Sequence, residues 1–134
     1  MKARRGAVIL EAAVALPLLL IILFGGLEFA WAFTKKVEIT NAARVGARTA
    51  SLAGSDSQRV QAAVADQMAA AGFPSGSWTL VMDPPDPSFA VPGSPVSVIV
   101  DAGDQSVSLG ALGSWVPIPE RISSRAVMRK EGGM

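Results

Sequence analysis

The hydropathy pattern is dominated by a long apolar stretch near the start of the chain. Sixteen residues without a charge follow Glu11, and six more separate Glu28 from Lys35. At 1.5 Å per helical residue, residues 7–27 would span about 31 Å, close to the thickness of a bilayer's hydrocarbon core. Only a helix satisfies its own backbone hydrogen bonds in that environment. The pattern therefore predicts a membrane-spanning helix.

The positions of Glu11 and Glu28 allow two alternatives for the residues that cross the membrane. If residues 7–27 lie in the bilayer, Glu11 is about one helical turn inside the apolar zone. If residues 12–33 lie there instead, Glu11 is at the interface and Glu28 is in the membrane. An ionised carboxylate at the bilayer centre costs about 2.5–3.5 kcal/mol on insertion scales, and less near the edge. Each alternative therefore leaves one acid that needs a partner.

Pro17 lies inside the predicted membrane helix. Proline removes one backbone hydrogen bond and clashes with the carbonyl of the fourth residue before it, so a kink or local melting is expected. Prolines are also tolerated in membrane helices without a special role. The second interpretation is that Pro17 lets the helix bend where subunits pack together.

The helix is predicted to continue beyond the membrane to about Leu52, because residues 34–52 contain no proline and are rich in alanine, arginine and lysine. Small residues recur at i, i+4 spacing, and such a face lets another helix approach closely. We predict a subunit-packing face made of Ala42, Gly46 and Ala50, with Arg44 and Arg48 beside it. The alternative is that the arginines form a solvated face and that Gly46 has no packing role.

A short second helix and a small sheet are predicted for the rest of the chain. Ser55 and Gln58 have the spacing of a capping box, and apolar residues at helical spacing follow over residues 56–71. Three runs alternate like strands, at residues 77–82, 95–102 and 121–129.

In the last of these runs, Ile122 and Val127 are expected to face inward. An irregular loop pinned by Trp115 is expected over residues 103–119. The predicted fold class is α+β: a long N-terminal transmembrane helix that continues out of the membrane, a short second helix, and an antiparallel sheet of about three strands.

Composition excludes several kinds of chemistry. The chain has no cysteine and no histidine, which excludes disulfides, Cys/His metal sites and catalysis by either residue. A net charge of +1 gives no reason to expect nucleic-acid binding. Two acidic pairs could offer oxygen ligands to Ca²⁺, but both stand in turn contexts where aspartate is common. These pairs are Asp83 with Asp86 and Asp101 with Asp104. We expect no metal, no cofactor and no enzymatic activity.

The residues around Gly6 resemble the processing site of type IV prepilins. Basic residues precede Gly6, and Glu11 would be the fifth residue of a chain that began at Ala7. The resemblance implies cleavage after Gly6 by an aspartyl prepilin peptidase at the cytoplasmic face. It also implies that Glu11 pairs with the N-terminal ammonium of a neighbouring subunit. Such pairing has a physical reason, since an unpartnered buried charge is strongly destabilising.

Further motifs narrow the resemblance to the TadE family of pseudopilins from tight-adherence (Flp) pilus systems. The matching elements are Glu-Ala-Ala-Val-Ala-Leu-Pro-Leu-Leu-Leu from Glu11, Phe-Gly-Gly-Leu-Glu-Phe from Phe24, and Asn-Ala-Ala-Arg-Val-Gly-Ala-Arg from Asn41. Val45 stands where the family pattern has an acidic residue. The segment from Ser124 is similar to the family's last strand. TadF and TadG proteins share the N-terminal element, so the motifs indicate the superfamily rather than one subtype.

The resemblance implies a minor pilin or pseudopilin that acts in pilus assembly and surface adherence. The expected division is a leader (residues 1–6), a long transmembrane and amphipathic helix (7–53), and an extracytoplasmic α+β domain (54–134). Expected partners are the membrane, a prepilin peptidase, TadF-like and Flp-type subunits, and the Tad assembly platform.

The expected location is the bacterial inner membrane, as a single-pass, pilus-associated protein. Lys2, Arg4 and Arg5 favour a cytoplasmic N-terminus. One alternative is an uncleaved single-pass anchor whose outer domain binds envelope material or a secretion partner. Another is a secreted domain released near Phe33 by signal peptidase.

Overall fold

The computed structural model describes residues 2–103, 119 and 121–132, with side chains from Gly6 onward. The elements are two helices, α1 (Lys2–Ser51) and α2 (Ser57–Ala70), and three strands, β1 (Trp78–Asp83), β2 (Pro95–Gly103) and β3 (Arg121–Arg129). A short 3-10 helix, Pro87–Phe89, lies between β1 and β2. This is the predicted α+β layout. The loop and the Trp115 contact predicted for residues 103–119 lie almost entirely outside the described residues.

The long helix α1 continues through Pro17 without interruption. Residues 12–27 of this helix carry no charge on any side, as in a helix that could cross a membrane, whereas its second half is amphipathic. It ends where Leu52, Ala53 and Gly54 form a turn, and Gly54 has a positive φ of 71°. The helical prediction for residues 7–52 is therefore confirmed to within one residue at its C-terminal end.

The sheet is antiparallel with the order β1-β2-β3. Strand β1 pairs with β2 from Trp78 opposite Ala102 to Asp83 opposite Ser97. Strand β3 pairs with the whole of β2, from Pro95 opposite Arg129 to Gly103 opposite Arg121. The period-two alternation places Val96, Val98 and Val100 on the buried face. This face of the sheet packs on α1. The helix α2 packs on α1 beside the sheet, so that Gly46 of α1 lies close to both Val64 of α2 and Val98 of β2.

The core is built mainly from small and β-branched side chains. Its buried residues are Ala32, Ile39, Ala42, Ala43, Ala47, Ala50, Val60, Val64, Met68, Phe73, Val96, Val98, Val100, Ala102 and Ile122. Five of the six alanines come from α1, the sixth, Ala102, comes from β2, and the valines come from α2 and β2. Close packing of these elements therefore depends on the small side chains of α1.

Two details of the predicted fold are wrong. The residue that caps α2 is Asp56, whose carboxylate accepts a hydrogen bond from the Arg59 backbone N–H at 2.8 Å, and not Ser55. Val127 is 54% exposed, whereas Ile122 is buried. Residues five apart point to opposite faces of a regular strand, so these two could not both face inward.

Candidate membrane and assembly surface

The first half of α1 extends beyond the folded domain. Residues 6–27 are exposed apart from Gly25, which is half-buried. They include large apolar side chains such as Leu10, Leu19 and Ile22. Among the described residues, α1 is the helix long and apolar enough to cross a membrane. At 1.5 Å per residue, residues 6–27 measure about 33 Å, which fits the hydrocarbon core of a bilayer.

Glu28 marks the point where the domain begins to cover α1. Its side chain is only 1% exposed, and it takes part in an interaction within the chain. Ala32 and Lys35, one and two turns further on, are also buried. Since the chain itself covers Glu28, the structure favours residues 7–27 as the membrane segment over residues 12–33.

The residues of the predicted processing site lie at the free end of α1. Gly6, Ala7 and Glu11 are all exposed, and Pro17 is exposed further along the same segment. A Cβ atom added to Gly6 would meet no atom within 4 Å. Glycine at this position is therefore not required by packing within the chain, and Glu11 is accessible to a partner.

The three small residues of the predicted subunit-packing face lie in the core of the chain itself. Ala42 and Ala50 are completely buried, and Gly46 is buried between α2 and the sheet. A Cβ atom on Gly46 would lie 2.7 Å from Cγ2 of Val64 and 2.9 Å from Cγ1 of Val98. The small face does permit a close approach, but to the chain's own second helix and strand, so it is not available to another subunit.

The opposite face of α1 remains exposed. Arg44 and Arg48 lie on it, together with Val37, Asn41 and Val45. The face thus combines two cations with apolar side chains at helical spacing. It is one part of α1, outside its apolar first half, that another helix could contact.

Lys35 joins the two helices near the membrane-proximal end of the domain. Its Nζ donates to the Ala71 carbonyl oxygen at 2.6 Å, at the C-terminal end of α2, and to Oε2 of Glu38 at 3.0 Å. The ammonium also lies 5.1 Å from the Trp31 ring and 4.7 Å from the Phe73 ring. A cation is favourable at a helix C-terminus and over aromatic rings.

Lys130 has a similar role at the distal end. Its buried side chain donates to the carbonyl oxygens of Ala50 and Leu52, at 3.0 and 2.8 Å, where α1 ends. The Glu131 backbone N–H donates to the Ser51 carbonyl oxygen at 2.7 Å. Sequence reasoning missed both lysines. The spacing of Trp31 and Lys35, one turn apart on α1, was a signal for the first, whereas no local signal marks Lys130.

Asp86 caps the 3-10 helix. Its carboxylate accepts a hydrogen bond from the Ser88 backbone N–H at 2.9 Å, at the start of the 3-10 helix. This bond lowers the pKa of Asp86 below 3.8. Among the described residues, no three acidic side chains lie close enough together to hold a metal ion, and Asp104 lies outside that part of the chain.

The comparisons with known proteins concern the N-terminal part of the chain. The family model described as TadE-like protein matches residues 6–48, which include the free part of α1 and most of its packed part. No curated protein and no solved structure shows significant similarity to the chain. The resemblance inferred from the motifs is thus confirmed for residues 6–48, which are similar to the TadE-like family.

Proposed function

We propose that the chain is a minor pilin or pseudopilin of a Tad (Flp) pilus. In this proposal residues 7–27 anchor it in the bacterial inner membrane and the α+β domain lies outside the cytoplasm. Its role is in assembly and adherence rather than catalysis. The observation that carries the proposal is the free, exposed apolar segment of residues 6–27 with Glu11 near its end.

A prepilin peptidase would cut the bond between Gly6 and Ala7. The leader would then be residues 1–6, whose basic side chains favour the cytoplasmic side. The exposure of Gly6, and the empty space around its Cβ position, support a role in recognition by another protein. Small size at this position would let the peptidase approach the peptide bond closely.

After cleavage, the new ammonium of Ala7 and the carboxylate of Glu11 would both lie in the apolar zone. Within one chain they are about one helical turn apart, and each is more favourable with an opposite charge nearby. A lateral partner could supply that charge and fix the register between subunits. The exposed face of α1 with Arg44 and Arg48 would then contact TadF-like or Flp-type subunits above the membrane.

The test is the N-terminal sequence and intact mass of the full chain, co-expressed with a prepilin peptidase. We expect an N-terminus at Ala7, with or without methylation. Gly6→Val should abolish the cut, because the added side chain occupies the recognition position. Gly26→Val is the matched control, since a Cβ atom there also meets no atom within 4 Å, and it should be cleaved normally.

An N-terminus at Met1 under these conditions would refute processing and leave an uncleaved single-pass anchor. An N-terminus near Phe33 would refute the anchor itself. Equal cleavage of the two glycine variants would show that Gly6 is not the recognition residue.

A further inference from the structure

A pocket of about 470 Å³ lies where α1 enters the folded domain. One wall is α1 and the other is the start of β3. Its lining is Phe29, Ala32, Phe33, Lys36, Pro119, Arg121, Ile122 and Ser123. The pocket thus has two aromatic rings, Phe29 and Phe33, on the side of the apolar first half of α1. Its two cations are Lys36 and Arg121.

The pocket begins at the level of the lipid headgroups and extends beyond them. If the hydrocarbon core ends near Leu27, Phe29 lies about 3 Å and Lys36 about 14 Å further along the helix axis, at 1.5 Å per residue. The headgroup region is about 5–8 Å thick on each side of the bilayer. Phe29 and Phe33 are 57% and 71% exposed, so the folded domain leaves both rings accessible to an acyl chain. Long basic side chains reach down towards the same level.

The two cations retain the capacity to bind an anion. The Lys36 Nζ donates to the Ser123 carbonyl oxygen, but an ammonium has three N–H donors, so this bond does not exhaust it. The Arg121 side chain is 68% exposed, and its Nη2 lies 3.6 Å from Oδ2 of Asp101. Of the described acids at this end of α1, Glu28 is buried in an interaction of its own and Glu38 is paired with Lys35 at 3.0 Å. Glu120, next to Arg121 in the sequence, lies outside the described residues.

We infer that this pocket binds a phospholipid with an anionic headgroup, taken from the membrane that holds residues 7–27. The phosphate would lie between Lys36 and Arg121, and an acyl chain would run past Phe33 and Phe29 towards the bilayer. The inference rests on the proposed membrane anchoring and adds a lipid preference to it. The bound lipid would fix how the domain sits on the membrane surface.

The test uses the full chain in nanodiscs made of phosphatidylcholine with increasing phosphatidylglycerol, and native mass spectrometry of the lipids it retains. We expect preferential retention of one phosphatidylglycerol molecule per chain. Removing both cations in Lys36→Gln/Arg121→Gln should weaken retention about thirtyfold, or about fivefold per cation. The matched control is Arg44→Gln/Arg125→Gln, which removes one exposed cation from each of the same two elements outside the pocket and should retain the lipid.

Two further variants separate lipid binding from folding. Arg121→Gln alone removes a mostly exposed guanidinium and should still weaken retention about fivefold. Phe33→Ala should also reduce retention, whereas Phe89→Ala, an exposed ring in the 3-10 helix, should not. A glycerol-phosphate competitor in solution should not displace the lipid, because the acyl contacts contribute to binding.

Four outcomes would overturn the inference. Equal retention of the two lipids, or equal retention by the pocket and control pairs, would refute the lipid site while leaving membrane anchoring intact. Displacement by glycerol phosphate would indicate a site for soluble phosphates. Failure of the chain to float with vesicles would refute the anchoring in the proposed function, and the lipid site with it.

Discussion

Gly46 offers the sharpest test of how the domain packs, through the substitution Gly46→Val. Its Cβ position lies 2.7 Å from Val64 Cγ2 and 2.9 Å from Val98 Cγ1, well inside normal contact. Overpacking a core typically costs about 1–3 kcal/mol, and three added carbons at such distances should approach the upper end. Valine is more favourable than glycine in a helix by only about 0.3–0.5 kcal/mol. We therefore expect a net loss of about 2 kcal/mol in the free energy of unfolding.

The assay is thermal or guanidinium unfolding of the full chain in detergent micelles, followed by tryptophan fluorescence. For a domain of this size, a 2 kcal/mol loss should lower Tm by about 8–16 °C. Gly26→Val is the matched control, because its Cβ position meets no atom within 4 Å, and its effect should stay within about 0.5 kcal/mol.

A second-site change tests the cause directly. Val64→Ala should be destabilising in the wild-type chain, because it removes buried methyl groups. In the Gly46→Val background it should cost less or restore stability, with a coupling energy of about 0.5–3 kcal/mol. If Gly46→Val were as stable as Gly26→Val, or if the two changes were simply additive, close contact with Val64 would not be the reason for glycine.

Four further predictions concern charged groups. Glu11→Ala should leave cleavage after the leader intact but abolish co-purification with pilin partners; normal co-purification would contradict the charge-pairing role. Lys35→Met should lower the free energy of unfolding by about 2 kcal/mol, because it removes two charge-assisted hydrogen bonds and two ring contacts, and an unchanged Tm would refute this. Lys130→Met should cost about 2–3 kcal/mol in the same assay, while the exposed neighbour Arg129→Met should have little effect; equal effects would show that the α1 carbonyl contacts are unimportant. The Asp86 carboxylate has a lowered pKa in the folded state, so its contribution is present above its ordinary pKa of 3.8 and is lost as pH falls through the lowered value. The stability difference between wild type and Asp86→Ala should therefore narrow in acid, and a constant difference would contradict it.

The sequence by itself determined the two α-helices and the three strands. The long run of uncharged residues predicted the apolar part of α1, and the alternation of apolar and polar residues predicted the three strands. Both signals are local in the sequence. The motif around Glu11 and the Asn-Ala-Ala-Arg element pointed to the TadE-like segment that the family model matches. The capping residue of α2 was misplaced by one position, since Ser55 and Asp56 are both good caps and only the backbone geometry selects Asp56.

Only the tertiary structure decided which partner each helix face meets. The small stripe of Ala42, Gly46 and Ala50 has the same spacing whether it packs against another subunit or against the chain itself. The fold places Val64 and Val98 on it. Likewise, Lys35 and Lys130 bind carbonyl oxygens distant in sequence, and Glu28 is covered by the domain. The periodicity of the sequence shows whether a face carries apolar, small or charged side chains. Contacts between residues distant in sequence determine what covers that face.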